Sequence, residues 1–310
     1  MIHTKQFSDR QSGNIPDTEL QHTIEFSSWR EFVDYAANTP SEMSFNLRKS
    51  RKWSRRESGS GDIPVKHWSG TEVWDDTHFL ATSGWPEGAE AMQKMFTTLR
   101  LPSNKARTTT RFSPHGPGSL SMGRYIDGHP KPIAIQKETN QLSKSRARTG
   151  GIIHLGINIS QSGGTSARAR FLYGCMILSL TDLLERSGRR IELTLFNGNH
   201  GDDGASINQS VKLKTAGERL NLSVLAFAVG NAATQRRLAW SVRETLPANV
   251  RVACRVGGSY GTPTPDWHTD DVTLLPGLGS IDDYAFGSEQ TRTRWLQARL
   301  REQGIVWDGK

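Results

Sequence analysis

With 310 residues, 35% of them hydrophobic, and a mean hydropathy of −0.56, the chain carries enough apolar material for one large or two ordinary folded units. No run nears the roughly 18–20 apolar residues that cross a bilayer, and the first residues, Met1-Ile2-His3-Thr4-Lys5-Gln6, hold no apolar signal core. Cys175 and Cys254 both sit in apolar sequence and read as reduced core residues, so a disulfide framework, a zinc site and a membrane partner are not expected, while the net charge of +8 suits phosphate-bearing partners.

In chain order, residues 1–24 are polar and without period, and are expected to form a flexible tail. Ser28-Trp29-Arg30-Glu31 is a capping-box pattern, and Trp29, Phe32, Val33 and Ala36 recur at helical spacing, predicting a short helix that ends near Asn38-Thr39-Pro40. A basic linker, 47–62, follows. In it Arg48, Lys49, Arg51, Lys52, Arg55 and Arg56 surround Trp53, a composition that can hold phosphates and stack a base, or can be a solvated loop. Val73, Trp74, Thr77 and Leu80 mark one helix stopped by Ser83-Gly84. Trp85-Pro86-Glu87-Gly88 opens a second, with Ala89, Met92, Phe96 and Leu99 on its buried side. Helical spacing makes these tryptophans core packing first and a ligand groove second. Residues 101–118 read as loop, 131–136 as an edge strand, and Lys144, Arg146 and Arg148 lie in a second basic loop. A boundary is expected near residue 149, between a Trp-rich helical and loop region, 25–148, and an α/β unit, 149–310.

That second unit alternates as a doubly wound, mostly parallel α/β sheet should. Strands are predicted over 152–159, 190–196, 250–256 and 271–276, with a short edge strand over 210–214. Helices are predicted over 166–187, around Val224 to Val242, and over 290–303. Residues 197–204, rich in Asn and Gly, read as an exposed loop, and His154 as a core histidine.

The sharpest functional pattern is Asn158-x-Ser160-x-Ser162, which follows the apolar run Ile152-Ile153-His154-Leu155-Gly156-Ile157 and precedes the long helix. A polar turn in that order stands at the carboxyl end of a strand. The spacing resembles the metal-binding motif of von Willebrand factor A domains, with asparagine where that family carries aspartate. The resemblance implies a hard-cation site, Mg2+, at Asn158, Ser160 and Ser162, with Asp202, Asp203, Asp270 and Asp271 as acidic supplements and Asp270 the one assigned to the metal. Two other readings of the same turn stay open: a helix cap made by its own hydroxyls, and an anion site at the helix N-terminus aided by Arg168 and Arg170.

Trp68-x-Gly70, Gly84-Trp85-Pro86-Glu87-Gly88 and Gly123-Arg124-Tyr125-Ile126-x-Gly128-x-Pro130 also resemble an uncharacterised family of bacteriophage and prophage proteins, a domain of unknown function. The resemblance implies a mobile-element origin and a setting in the bacterial host cytoplasm or the virion. Two functional expectations follow. The first is a non-enzymatic binding or assembly protein that meets a phage or host protein, and nucleic acid through its basic loops, with Asn158, Ser160 and Ser162 shaping the surface and Arg168 or Arg170 taking a carboxylate or phosphate. The alternative is a magnesium-dependent nucleic-acid-processing enzyme built on Asp202, Asp203, Asp270 and Asp271, or a basic nucleic-acid-binding virion protein with no site.

Overall fold

The computed structural model describes residues 21–39, 53–55, 64–98, 107–139, 151–202, 204–219, 221–258, 261–264, 272–275 and 286–305. Strand β1 (Gln21–Phe26) precedes helix α1 (Trp29–Asn38), which Ser28 caps as the sequence predicts, although the return bond of the capping box goes to Ser27 and not to Ser28. The Ser28 hydroxyl accepts from the Glu31 N–H at 3.2 Å, and the Glu31 carboxylate accepts from the Ser27 N–H and hydroxyl at 2.7 Å each. Trp29, Phe32, Val33 and Ala36 are the buried face of α1. Helices α2 (Val65–Ser69), α3 (Trp74–Ser83) and α4 (Pro86–Thr98) follow, with Pro86 at the first turn of α4. A small antiparallel sheet comes next, from β2 (Arg107–Ser113), β3 (Ser119–Leu120), α5 (Met122–Ile126) and β4 (Ile133–Thr139), in the order β2-β4-β3.

The large sheet is assembled from β5 (Ile152–Asn158), β6 (Arg190–His200), β7 (Ser206–Lys214), β8 (Thr262–Pro263) and β9 (Thr273–Leu275) together with β1, in the order β1-β7-β6-β5-β9. Its pairs β5–β6, β5–β9 and β1–β7 are parallel, and β6–β7 is antiparallel. Between β5 and β6 runs α6 (Ala167–Arg186), apolar nearly all round, as a helix enclosed on most sides must be. It packs against α4, against α7 (Leu222–Gly230) and against α10 (Glu289–Glu302). After α7 come a π-helical stretch, Thr234–Ala239, then α8 (Trp240–Glu244) and α9 (Ala248–Ala253).

The mixed α/β class and the mostly parallel sheet match the sequence reading. Several expectations need correction. The tail ends early, because residues 21–26 pair with β7 in the register Gln21↔Ser206 to Phe26↔Val211. The large sheet thus draws a strand from well before residue 149. Residues 107–113, read as loop, form β2, and β4 is the centre of its sheet, not an edge. Strand β7 is nine residues long and lies between β1 and β6. Residues 197–200, read as exposed loop, extend β6, and Asn197 and Asn199 are buried there. Residues 248–253 are helical, not strand: Val250 and Cys254, one turn apart, are buried, and the intervening Val252 is 77% exposed. His154 lies half-exposed with its Nδ1 3.1 Å from Glu192 Oε2, so it is no core histidine. Both cysteines are free and buried, which pushes the Cys175 thiol up to about 12 and that of Cys254 to about 11. No helix among the described residues is long and apolar enough to cross a membrane.

Candidate functional site

Strand β5 runs out just past Asn158: the Ile159 N–H still donates to the Phe196 carbonyl of β6 at 2.7 Å, and the Asn158 side chain takes up the N–H after it. Asn158 Oδ1 accepts from the Ser160 N–H at 2.9 Å, a local turn that swings the chain out of the sheet. Its Nδ2 donates to the Thr264 carbonyl at 2.9 Å. The Ser160 hydroxyl in turn accepts from the Gly198 N–H at 2.8 Å, and the Thr264 N–H donates to the Gly198 carbonyl at 3.1 Å. Where β5 leaves, β8 therefore takes its place beside β6, pairing Pro263 with Asn199 and Thr262 with His200. Asn158 and Ser160 are the stitches of that exchange, and both are buried.

A cavity of about 470 Å³ opens beside the exchange, at the carboxyl ends of β5 and β6. Its lining comes from the bend (Gln161, Ser162, Gly163), from Gly198 and Asn199 of β6, from β8, and from Trp68, Gln235, Trp240 and Arg243. Trp68 and Trp240 meet at 5.5 Å between ring centres and form a small apolar cluster apart from the main core. Three lining amides are only partly satisfied. Gln161 has neither side-chain polar atom bonded, and Asn199 Oδ1 and Gln235 Oε1 likewise find no hydrogen-bond partner among the described residues, although all three side chains are buried. Groups of that kind are uncommon in folded proteins and ask for an explanation.

The π-helical stretch fixes this wall. Its wider turn sends three consecutive residues in three directions. The Gln235 Nε2 donates to the Gln161 carbonyl at 3.0 Å. Arg236 donates to the carbonyls of Trp68, Ser162, Gly163 and Thr165, and stands 4.9 Å over the Trp68 ring. Arg237 reaches the other way, to the carbonyls of Ser54, Thr71 and Glu72 and to the Ser69 hydroxyl. Burial pushes the Arg236 guanidinium down to about 10, which still leaves it cationic at neutral pH. Two cations inside the apolar setting Ala232-Ala233 to Leu238-Ala239-Trp240 were the available sequence signal for this device, and the sequence reading passed over it.

Residues 14–305 match the family model described as Domain of unknown function (DUF7192). The chain belongs to that family. No curated protein and no solved structure matches it. As a member of this family the chain arrives with no activity attached, so the geometry of its own residues carries the functional argument.

The structure brings Asn158, Ser160 and Ser162 to the strand end, as the sequence predicts, but not as a cation shell. The Asn158 carbonyl and the Ser160 hydroxyl already accept backbone N–H groups. The exposed Ser162 accepts from the Gly164 N–H at 3.2 Å. Beneath the bend the fully buried Arg170 donates to the Ile159 carbonyl at 3.2 Å, a positive charge that opposes Mg2+. These residues do not fit a hard cation. No group of three or more His, Cys, Asp or Glu placed to hold a metal occurs among the described residues. Asp202 is exposed and bonded to Arg255, whose hydrogen bond holds its carboxyl below the usual range, while Asp203, Asp270 and Asp271 lie outside the described residues. The helix cap is Ser166, whose hydroxyl accepts from the Ala169 N–H at 3.1 Å.

Arg168 is exposed and lines a different cleft, with Lys66, His67 and Phe171, so it and Arg170 do not converge on one anion. Of the basic linker, Ser54 and Arg55 are docked rather than free. The Ser54 N–H and hydroxyl donate to the buried Glu244 carboxylate at 3.1 and 2.5 Å, and the Arg55 guanidinium lies 3.5 Å over the Trp74 ring. Arg48, Lys49, Arg51, Lys52 and Arg56 lie outside the described residues, as does the side chain of Trp53.

The asparagine in the motif thus has its own use: it supplies an N–H2 donor that aspartate lacks. Asn158→Asp is expected to lower stability by about 2 kcal/mol at neutral pH, since a buried carboxylate oxygen would face the Thr264 carbonyl. The protonated carboxyl of that variant can donate again, so the deficit in denaturant unfolding should shrink as pH falls through the raised carboxyl pKa. A deficit that is equal at pH 4 and pH 8 would contradict this assignment.

Proposed function

We propose that the chain is a binding module whose strand-end cavity seats a small, uncharged molecule rich in hydrogen-bond donors. The observation that carries this reading is the set of partly unsatisfied, buried amides, Gln161, Asn199 and Gln235, around one cavity. Two of the orphaned atoms, Asn199 Oδ1 and Gln235 Oε1, are acceptors, and Gln161 offers both a donor and an acceptor. Those atoms are themselves buried, so a ligand that brings N–H or O–H groups would satisfy them as the three amides turn into the cavity, and the volume suits a molecule of nucleoside or monosaccharide size. The placement at the carboxyl ends of parallel strands is where open α/β sheets take their ligands. The likeness to von Willebrand factor A domains enters this reading only as that placement.

The test is a thermal-unfolding screen with nucleosides, monosaccharides and primary carboxamides at millimolar concentration. A ligand at a hundred times its Kd adds about 2.7 kcal/mol to the stability of the fold. The discriminating variant is Gln161→Met, close in shape and free of orphaned polar atoms. It is expected to raise the stability of the ligand-free protein by about 1 kcal/mol and to abolish the ligand-induced shift. A screen without any shift, or a shift that survives the substitution, would sink the reading.

A further inference from the structure

The element Gly84-Trp85-Pro86-Glu87-Gly88 contributes nothing to the strand-end cavity, and its two glycines serve one ring. A methyl group built on Gly88 would collide with the Trp85 indole, so the ring rests directly on the first turn of α4. A methyl group on Gly84 would sit 2.6 Å from the Ser223 Cβ of α7, and the Trp85 N–H donates to the Ser223 carbonyl at 2.9 Å. The ring also meets Phe171 of α6 edge-on, at 6.0 Å between centres. Three helices therefore fix the indole, yet it stays only half-buried.

Trp85 lines a cleft of about 470 Å³ together with Phe171, the first turn of α6 and the end of α7. Helix α2 stands between this cleft and the strand-end cavity: Trp68 lines that one, and Lys66 and His67 line this one. Exposed Lys66, His67 and Arg168 make the rim basic, and no Asp or Glu among the described residues lines it. Arg168 meets no acid among the described residues, and its place in the first turn of a 20-residue helix sets a cation against the positive end of the helix dipole. An anion in the cleft would resolve that conflict. Lys66 is held loosely, 3.8 Å from Glu72 with both side chains largely in water. Glu72 itself belongs, with Asp76 and Glu87, to an adjoining cleft of about 320 Å³ that shares Lys66 and Trp85. Trp85 is thus common to a basic cleft and an acidic one, which directs an anionic group to the side where Arg168 stands.

We infer that this cleft is a second ligand site, which takes a small molecule whose planar ring lies against Trp85 and whose phosphate or carboxylate is held by Arg168 with Lys66. The fixed indole supplies a stacking surface at little entropic cost, and the planar guanidinium matches either anion with two parallel N–H groups. An apolar floor with a few polar groups at its edge is the usual make-up of a small-molecule site, and the volume falls in that range. The inference does not rest on the strand-end cavity and survives the loss of that reading.

Equilibrium dialysis of the full chain against adenosine monophosphate, a naphthoate, adenosine and inorganic phosphate tests it. Either ring-bearing anion should bind at least about fivefold more tightly than adenosine or phosphate, and the better of the two tells a phosphate ligand from a carboxylate one. Arg168→Gln changes an exposed side chain, so it should keep the unfolding temperature and weaken binding at least about threefold. Trp85→Leu should weaken it at least about fivefold, and if that variant disturbs folding, Arg168→Gln still decides. Dialysis in the Gln161→Met background, where the strand-end cavity is silenced, assigns the remaining binding to this cleft, so the two readings fail separately. Four outcomes would overturn the inference: no retention of either ring-bearing anion at millimolar concentration, loss of that retention in the Gln161→Met background, adenosine or phosphate binding within about fivefold of both anions, or a loss under about threefold for folded Arg168→Gln.

Discussion

Arg236→Ala is expected to destabilise the fold by about 4 kcal/mol, more than any other single truncation around the cavity. The guanidinium is 1% exposed and donates to four backbone carbonyls, those of Ser162, Gly163 and Thr165 at 3.2, 3.1 and 2.7 Å and that of Trp68. Three of them belong to the bend that leaves β5 and the fourth to α2, so a single side chain ties the strand-end turn to the helical part of the chain. Truncation strips these oxygens of their donors, at about 1–3 kcal/mol for each one that water does not reach, and removes the packing over Trp68. The cavity beside the bend lets water reach some of the freed carbonyls, which is why the expected sum stays near 4 and well under four full penalties. Arg236→Lys keeps the charge but has no planar fork, and should recover about half of the loss. Denaturant unfolding measures both, and hydrogen exchange should show the amides of 161–165 opening first. A loss under about 1 kcal/mol for the alanine variant would mean that the bend holds itself.

The sequence made the β5–α6–β6 unit legible because each piece obeys one local rule. Ile152 to Ile157 is a largely apolar run bounded by glycine and polar residues, Ser166 is a cap, and the apolar stretch Phe171 to Leu184 that follows is too long for a strand. Where two rules fit the same residues, the reading failed. Val250-Arg251-Val252-Ala253-Cys254 alternates like a strand, yet Val250 and Cys254 also lie one helical turn apart, and Pro247 just ahead of them starts a helix. The polar end of β6 was illegible for another reason: its partners are remote. Asn197 Nδ2 donates to Gln209 Oε1 at 2.9 Å across the β6–β7 hairpin, and the Gly198 N–H reaches Ser160, 38 residues earlier. Composition without those partners predicts a loop. The same holds for the site. The strand-end position could be read from the order of elements, whereas the contribution of Trp68 and Arg236, 168 residues apart, is made only by the folded chain.

Gly174→Ala should cost about 3 kcal/mol, although alanine is the better helix former by about 1 kcal/mol. Gly174 lies in the middle of α6 where it crosses α7, and a methyl group built there would sit 2.5 Å from the Gly230 Cα and 2.9 Å from the Gly230 nitrogen. Those are backbone atoms of a buried helix, so relief requires the two helices to separate. That separation would loosen the packing of Phe227 and Val229, both fully buried in the same core. The reciprocal variant, Gly230→Ala, meets a different neighbour. Its added methyl would collide with the end of the Met92 side chain, while Gly174 Cα stays 3.8 Å away. A methionine has three rotatable bonds and yields readily, so that variant should lose less than about 1 kcal/mol. Replacing Met92 with alanine in the Gly230→Ala background should ease the clash, and the same change should leave most of the Gly174→Ala loss in place. Equal losses for the two glycine variants would show that this helix crossing deforms as easily as its side chains, which a close-packed interior does not do.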